Sequence, residues 1–247
     1  MKKLYDKDPV WFAVLWIGIY VFAFGNADSL SEAIGIPKLL TVIVGILLSF
    51  LLWRFLRRNG LTAEYGLRHF RENLRSYLYF LPLIAISSVN FWNGLALQDH
   101  FLTIVLYILS MFCVAFLEEV IFRGLLFRGL CKESITIAIW VSSLTFGFGH
   151  IVNLLFGEPV LPTLMQLVYA SAIGFCYTVI VYTGGSLLPC ILSHAFVNAT
   201  SIFARQPDIP QLILTTALQT LLGFGYGLWL LRKGKKAADL TSAENGI

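Results

Sequence analysis

"FLTIVLYILSMFCVAFLEEVIFRGLL", residues 101–126, decides the fold. Seventeen residues pass without a charge, and then Glu118, Glu119 and Arg123 fall within six. A helix that crosses a bilayer needs about 20 mostly apolar residues, and this run supplies them. An ionisable group inside such a run costs several kcal/mol to bury without a partner. The stretch therefore reads as a membrane helix with an ionisable cluster near one end.

The rest of the chain repeats the apolar part of that pattern. Of 247 residues, 57% are hydrophobic and 13% charged, against about 25% charged in an average soluble domain. Eight candidate spans emerge, near residues 9–25, 39–56, 77–97, 101–126, 135–156, 163–183, 187–204 and 211–231. The first follows Lys2 and Lys3, as a signal peptide would. Without a convincing small-x-small cleavage site, it reads as a retained helix. The expected fold is all-α: a polytopic bundle of about eight transmembrane helices in one transmembrane domain, 1–247.

Of the eighteen Lys and Arg residues, all but Lys38 and Arg205 fall at the termini or in even-numbered loops, Arg123 counted with the latter. Sixteen against two is a strong positive-inside bias. It puts both termini in the cytoplasm and makes the plasma membrane the site if the source is bacterial. The basic stretch "RRNGLTAEYGLRHFRENLRSY", 57–77, reads as a cytoplasmic loop with a surface-lying helix on anionic lipid. It lacks the separate domain or interleaved aromatics of a nucleic-acid site. The bilayer, not nucleic acid, is the expected partner. Cys113, Cys131, Cys176 and Cys190 have no ligand spacing and read as small hydrophobes.

Setting loops aside, the ionisable residues of the apolar segments are Glu118, Glu119, Arg123, His150 and His194. On a helix, residues four apart share a face while neighbours diverge. Glu119 and Arg123 thus form an i,i+4 pair that neutralises itself, and Glu118 points elsewhere. One glutamate reads as structural, the other as available. His194 and Asn198 share a face in "SHAFVN", and Phe146 lies one turn before His150 in "FGFGH". At 1.5 Å per residue, these groups fall at comparable mid-depth. They are expected to converge on one cavity entered from the cytoplasm. Asn153, one turn past His150, reads as a helix–helix hydrogen bonder. The small residues of "GFGYG", 223–227, read as a close-packing face.

At these positions the chain resembles the CAAX-protease and bacteriocin-processing family of intramembrane endopeptidases. That family includes the type II CAAX prenyl endopeptidases and the Abi-type bacteriocin immunity proteins. Its three-part signature, EExxxR, FxxxH and HxxxN or HxxxD, reads here as "EEVIFR" (118–123), "FGFGH" (146–150) and "HAFVN" (194–198). The resemblance covers a catalytic core of about 100–205; the first three spans and the last are generic. It implies hydrolysis of a peptide bond in a membrane-associated protein or peptide, CAAX-type lipidated tails included. By resemblance, Glu118 and His150 activate water, His194 and Asn198 hold the oxyanion, and Glu119 and Arg123 support the site.

Two questions stay open at this level. Glu118, His150 and His194 would also suit a zinc ion with an open position for water, although "HExxH" is absent. A non-catalytic immunity or scaffold protein of the same family is the alternative function. A transporter would call for internal repeats, and no matching halves are visible.

Overall fold

A computed structural model describes residues 1–67, 80–96 and 100–244, with side chains described to residue 233. Its regular elements are helical: α1 (Lys2–Lys7), α2 (Pro9–Ala33), α3 (Leu39–Arg58), α4 (Leu81–Ser87), α5 (Phe101–Glu118), α6 (Phe127–Leu130), α7 (Ile135–Gly149), α8 (Val160–Gly184), α9 (Leu188–Thr200) and α10 (Ile209–Glu244). A π-helix, Glu119–Leu126, joins α5 to α6, and 3-10 turns follow α4, α7 and α9. Among the described residues, six helices are long and apolar enough to span a membrane: Pro9–Ala33, Leu39–Arg58, Phe101–Leu130, Ile135–Phe156, Val160–Gly184 and Ile209–Lys233. The chain is a multi-pass integral membrane protein.

Local chemistry sets the ends of these helices. Asp8 caps α2, its carboxylate accepting from the Val10 and Trp11 amides, which satisfies donors no helical carbonyl can reach. α2 also runs past residue 25, where the sequence reading ended it. The polar side chains there bond back to the preceding turn: Asn26 to the Phe22 carbonyl, Ser29 to Gly25 and Ser31 to Ala27. Their polarity is absorbed locally, and the helix continues.

Two of the eight expected spans are not long helices. In 77–97 the described part, from Phe80, is α4 followed by a 3-10 turn, Val89–Phe91. Pro82 suits the first turn of α4. Beyond it, Ser88 bonds the Ala85 carbonyl and Gly94 turns the backbone at φ +90°. Such local bonds compete with helix propagation. The expected span 187–204 is α9, 13 residues long, with Pro189 in its first turn. α4 lies against α9 through Ser87 Oγ and Ser193 Oγ, 2.8 Å apart, and Asn90 donates to the Val197 carbonyl at 2.5 Å. Of the expected loop and surface helix, 57–77, residues 57–67 form the end of α3 and a turn, and 68–77 lie outside the described residues.

α8 is the central helix. In its most apolar window 61% of residues are buried, against 22–33% in the other five spans. α7 and α10 flank it, and both approach through glycine. A Cβ on Gly147 would lie 2.7 Å from the Ser171 amide nitrogen; one on Gly223 would lie 3.0 Å from the Ala172 carbonyl. The close-packing reading of residues 223–227 holds at Gly223 and at Gly227, which sits against Phe175. Large apolar side chains such as Phe22, Phe101 and Leu221 remain exposed, as a lipid-facing surface requires.

The bundle has two distinguishable ends. At one, Tyr5 and Tyr65 share a hydrogen bond of 2.6 Å, the Leu187 amide donates to the Gly66 carbonyl, and Gly129 lies beside Pro9 and Val10. Burial raises the pKa of both phenols, so the pair stays protonated well past neutrality. At the other end, Lys38 reaches Asp28 at 2.7 Å and lies over Tyr107, whose hydroxyl meets Ser201. Leu95 and Ala204 form an antiparallel bridge beside them.

Candidate active site

The charged cluster sits where α5 changes its winding. From Glu119 to Leu126 the hydrogen bonds lengthen to i→i+5, and all eight residues are buried. π-segments of this kind concentrate at functional sites. The Ser142 hydroxyl, from α7, donates to the Phe122 carbonyl at 2.8 Å and ties the segment to the bundle.

At the start of that segment the two adjacent glutamates share His194 but otherwise take different partners. Glu119 and Arg123 are both fully buried, with Arg123 Nη1 2.9 Å from Glu119 Oε1. The guanidinium lies 4.0 Å over the Phe146 ring, a cation–π contact that offsets part of its desolvation. Gly174 makes room: a Cβ there would stand 3.0 Å from Arg123 Nη2. Glu119 has a further role that the sequence reading missed. Its Oε1 also lies 2.8 Å from His194 Nδ1, so the ion pair orients an imidazole as well as neutralising itself. A carboxylate accepts and cannot donate, so Nδ1 carries the hydrogen and Nε2 faces away. Arg123 is therefore an interior group and leaves the loop-charge count at fifteen against two.

Glu118 is held differently. Its Oε1 accepts from the Tyr20 hydroxyl at 2.6 Å, and its Oε2 stands 3.6 Å from His194 Nε2. Tyr20 belongs to α2, so the first span is not generic. Nothing distinguished this tyrosine in "IGIYVFAF" from an interfacial aromatic. His150 caps α7 with Nδ1 3.1 Å from the Phe146 carbonyl, which leaves its Nε2 available. Phe146 meets both imidazoles nearly edge-on, with ring centroids 5.3 Å from His150 and 5.8 Å from His194. A hydroxyl chain missed in the sequence backs His194: Tyr177 donates to Ser193 Oγ at 2.7 Å, and Ser193 meets Ser87.

Glu118, His150 and Asn198 line one cavity of about 940 Å³, and His194, 8% exposed, turns Nε2 toward Glu118 in its wall. α10 contributes Thr215, Thr216 and Gln219 to that wall, so the last span is not generic either. Asn153 lies there too, its amide donating to Gln166 Oε1 at 3.0 Å, the helix–helix bond expected of it. The cavity runs to the end of the bundle marked by Lys38 and Arg205, with Asp28, Glu32 and Glu158 beside them.

Residues 100–200 match the model of the type II CAAX prenyl endopeptidase, Rce1-like family. The matched segment covers 101 of the 247 residues. It contains α5, the π-segment, α7, α8 and α9, and with them Glu118, Glu119, Arg123, His150, His194 and Asn198. No curated protein and no solved structure matches the chain. A zinc site would need Glu118, His150 and His194 to converge. Among the described residues no three His, Cys, Asp or Glu side chains group closely enough to hold a metal ion, and no step below runs through a metal.

Proposed function

We propose that the protein is an intramembrane endopeptidase that hydrolyses a peptide bond of a membrane-associated protein or peptide through a glutamate-activated water. The observation that carries this reading is the division between the two carboxylates. Glu119 is locked to Arg123 out of reach of solvent, while Glu118 faces the cavity with one oxygen steadied by Tyr20. The match of residues 100–200 to the Rce1-like family model supports the same reading.

In this mechanism Glu118 takes a proton from water as the water oxygen attacks the scissile carbonyl. His150 Nε2 orients that water. The tetrahedral oxyanion receives hydrogen bonds from Asn198 and His194. With Nδ1–H committed to Glu119, His194 donates from Nε2 only as imidazolium, so Asn198 Nδ2 is the neutral donor. Glu118 then delivers its proton to the departing amine as the carbon–nitrogen bond breaks, which balances the reaction. A donor preorganised toward the oxyanion contributes about 10²–10³-fold in rate.

In the same reading the chain crosses the bilayer eight times, with both termini in the cytoplasm. The fifteen-to-two charge bias and the contacts of α4 with α9 support this count. The test is Glu118→Gln, which keeps the shape of the side chain and removes the base. Membrane proteomes of Glu118→Gln and wild-type cells should differ by a precursor that accumulates only in the variant, at equal levels of the protein. Normal processing in the variant would overturn the base assignment.

A further inference from the structure

The cavity wall holds a buried amide that the mechanism leaves unused. Gln219 of α10 lines the cavity, is 6% exposed, and makes no hydrogen bond among the described residues. Other polar groups of the wall are engaged with one another. Asn153 donates to Gln166, Lys38 holds Asp28, and Tyr107 meets Ser201. Thr215 donates to the carbonyl four residues back, as do Thr163, Thr178, Thr183, Thr200 and Thr220 elsewhere in α8, α9 and α10. Thr216, three residues before Gln219, does not: it is 5% exposed and its hydroxyl is buried without a partner. A polar side chain between membrane helices ordinarily bonds a neighbouring helix. A buried amide left unsatisfied is costly, so Gln219 is placed for something that enters the cavity.

Its height in the bundle is that of the catalytic groups. α7 runs antiparallel to α8, with Ser143 beside Thr178 and Gly147 beside Ser171. α10 runs parallel to α8, with Gly223 beside Ala172 and Gly227 beside Cys176. His150 stands three residues past Gly147, and Gln219 four before Gly223. At about 1.5 Å per residue both reach the level of Val168, roughly 5–6 Å along α8 from those contacts. At the same level Tyr169 brings into the wall a hydroxyl with no partner among the described residues.

We propose that Gln219 is a substrate-binding residue whose side-chain amide pairs with the main chain of the bound polypeptide beside the scissile bond. Its oxygen accepts and its nitrogen donates, the complement of the one N–H and one C=O that each residue of an extended chain presents. A polypeptide that leaves water for the membrane interior must find partners for those groups. The pairing reads backbone and not side chain, so it serves guests of differing sequence. Gln219 lies beyond the matched segment, 100–200, and belongs to what this chain's last helix adds to the site. The proposal rests on the catalytic reading above for the identity of the guest, and on burial and helix register for its place.

The test has two stages. In the full-length Glu118→Gln chain, the photo-cross-linker p-benzoylphenylalanine is placed at Gln219. Leu212, two turns earlier in the same wall, is a second position in case the first variant fails to fold, and the exposed Leu221 is the control. Irradiated cells should give a polypeptide adduct at 219 and 212, absent at 221, that contains the precursor accumulated by Glu118→Gln. Accumulation with no adduct at either position overturns the proposal and keeps proteolysis. An adduct without accumulation keeps the binding surface and sinks proteolysis; with neither, both fall. A synthetic copy of the cross-linked segment is then titrated against purified Glu118→Gln protein with and without Gln219→Leu. The second substitution should raise the dissociation constant about tenfold. It should leave the melting point unchanged or higher, because it removes an unsatisfied buried group. An unchanged dissociation constant, or a lowered melting point, overturns the pairing. The penalty should be alike for peptides altered in the side chains next to the cut, and a penalty confined to one of them also overturns it.

Discussion

The ion pair between Glu119 and Arg123 allows a quantitative test of why two charges sit in the core of the bundle. Arg123→Met keeps an unbranched side chain of similar length and removes the cation. It strands Glu119, 0% exposed, with only His194 beside it. Breaking one partner of a buried pair costs about 3–5 kcal/mol, and the lost contact with Phe146 adds about 0.5–2 kcal/mol. Against a native stability of about 5–15 kcal/mol, the single variant should give little folded protein and a much lower apparent melting point in detergent. Adding Glu119→Gln removes the stranded charge but keeps an oxygen for His194. The native pair is itself imperfect: Glu119 Oε2 and Arg123 Nε and Nη2 are buried with no hydrogen-bond partner among the described residues. The double variant should therefore regain most of the loss, since replacing a whole buried pair is often neutral. Thermal unfolding of the four proteins of this cycle, in one detergent, measures the coupling. A double variant no more stable than Arg123→Met would refute the claim that charge compensation is what the pair provides.

Other outcomes follow from single contacts. Tyr20→Phe removes a hydrogen bond to a carboxylate, worth about 1.5–3 kcal/mol, while its ring keeps its place against Phe24. Cleavage should fall roughly tenfold or more at unchanged protein yield, as quantified by precursor processing. Gly147→Ala forces a Cβ against the backbone of Ser171; parting α7 from α8 should cost about 1–3 kcal/mol, read as a lower melting point. Cleavage by the purified protein should persist in a strong chelator; activity lost to chelation and restored by zinc would refute the metal-free route.

What the sequence revealed and what it concealed have the same cause. Hydropathy reports a long uninterrupted apolar run, so the six long helices were legible, as was the i,i+4 match of Glu119 with Arg123. Residues 80–96 and 188–203 are apolar too, but Pro82, Ser88, Gly94 and Pro189 act through local geometry that a hydropathy window averages away. The π-segment has no proline or glycine pattern of its own, and tertiary contacts such as Ser142 to the Phe122 carbonyl hold it. Tyr20 was hidden because its partner is 98 residues distant. The cavity wall was hidden because a void belongs to the packing of many helices and to no one segment.

Phe146 deserves a last consequence. One ring lies under the guanidinium of Arg123 and edge-on to both histidines. Trimming it would loosen the scaffold and misalign the imidazoles in the same stroke. Durability and turnover share a hinge pin here, and no substitution at this position can adjust one while sparing the other.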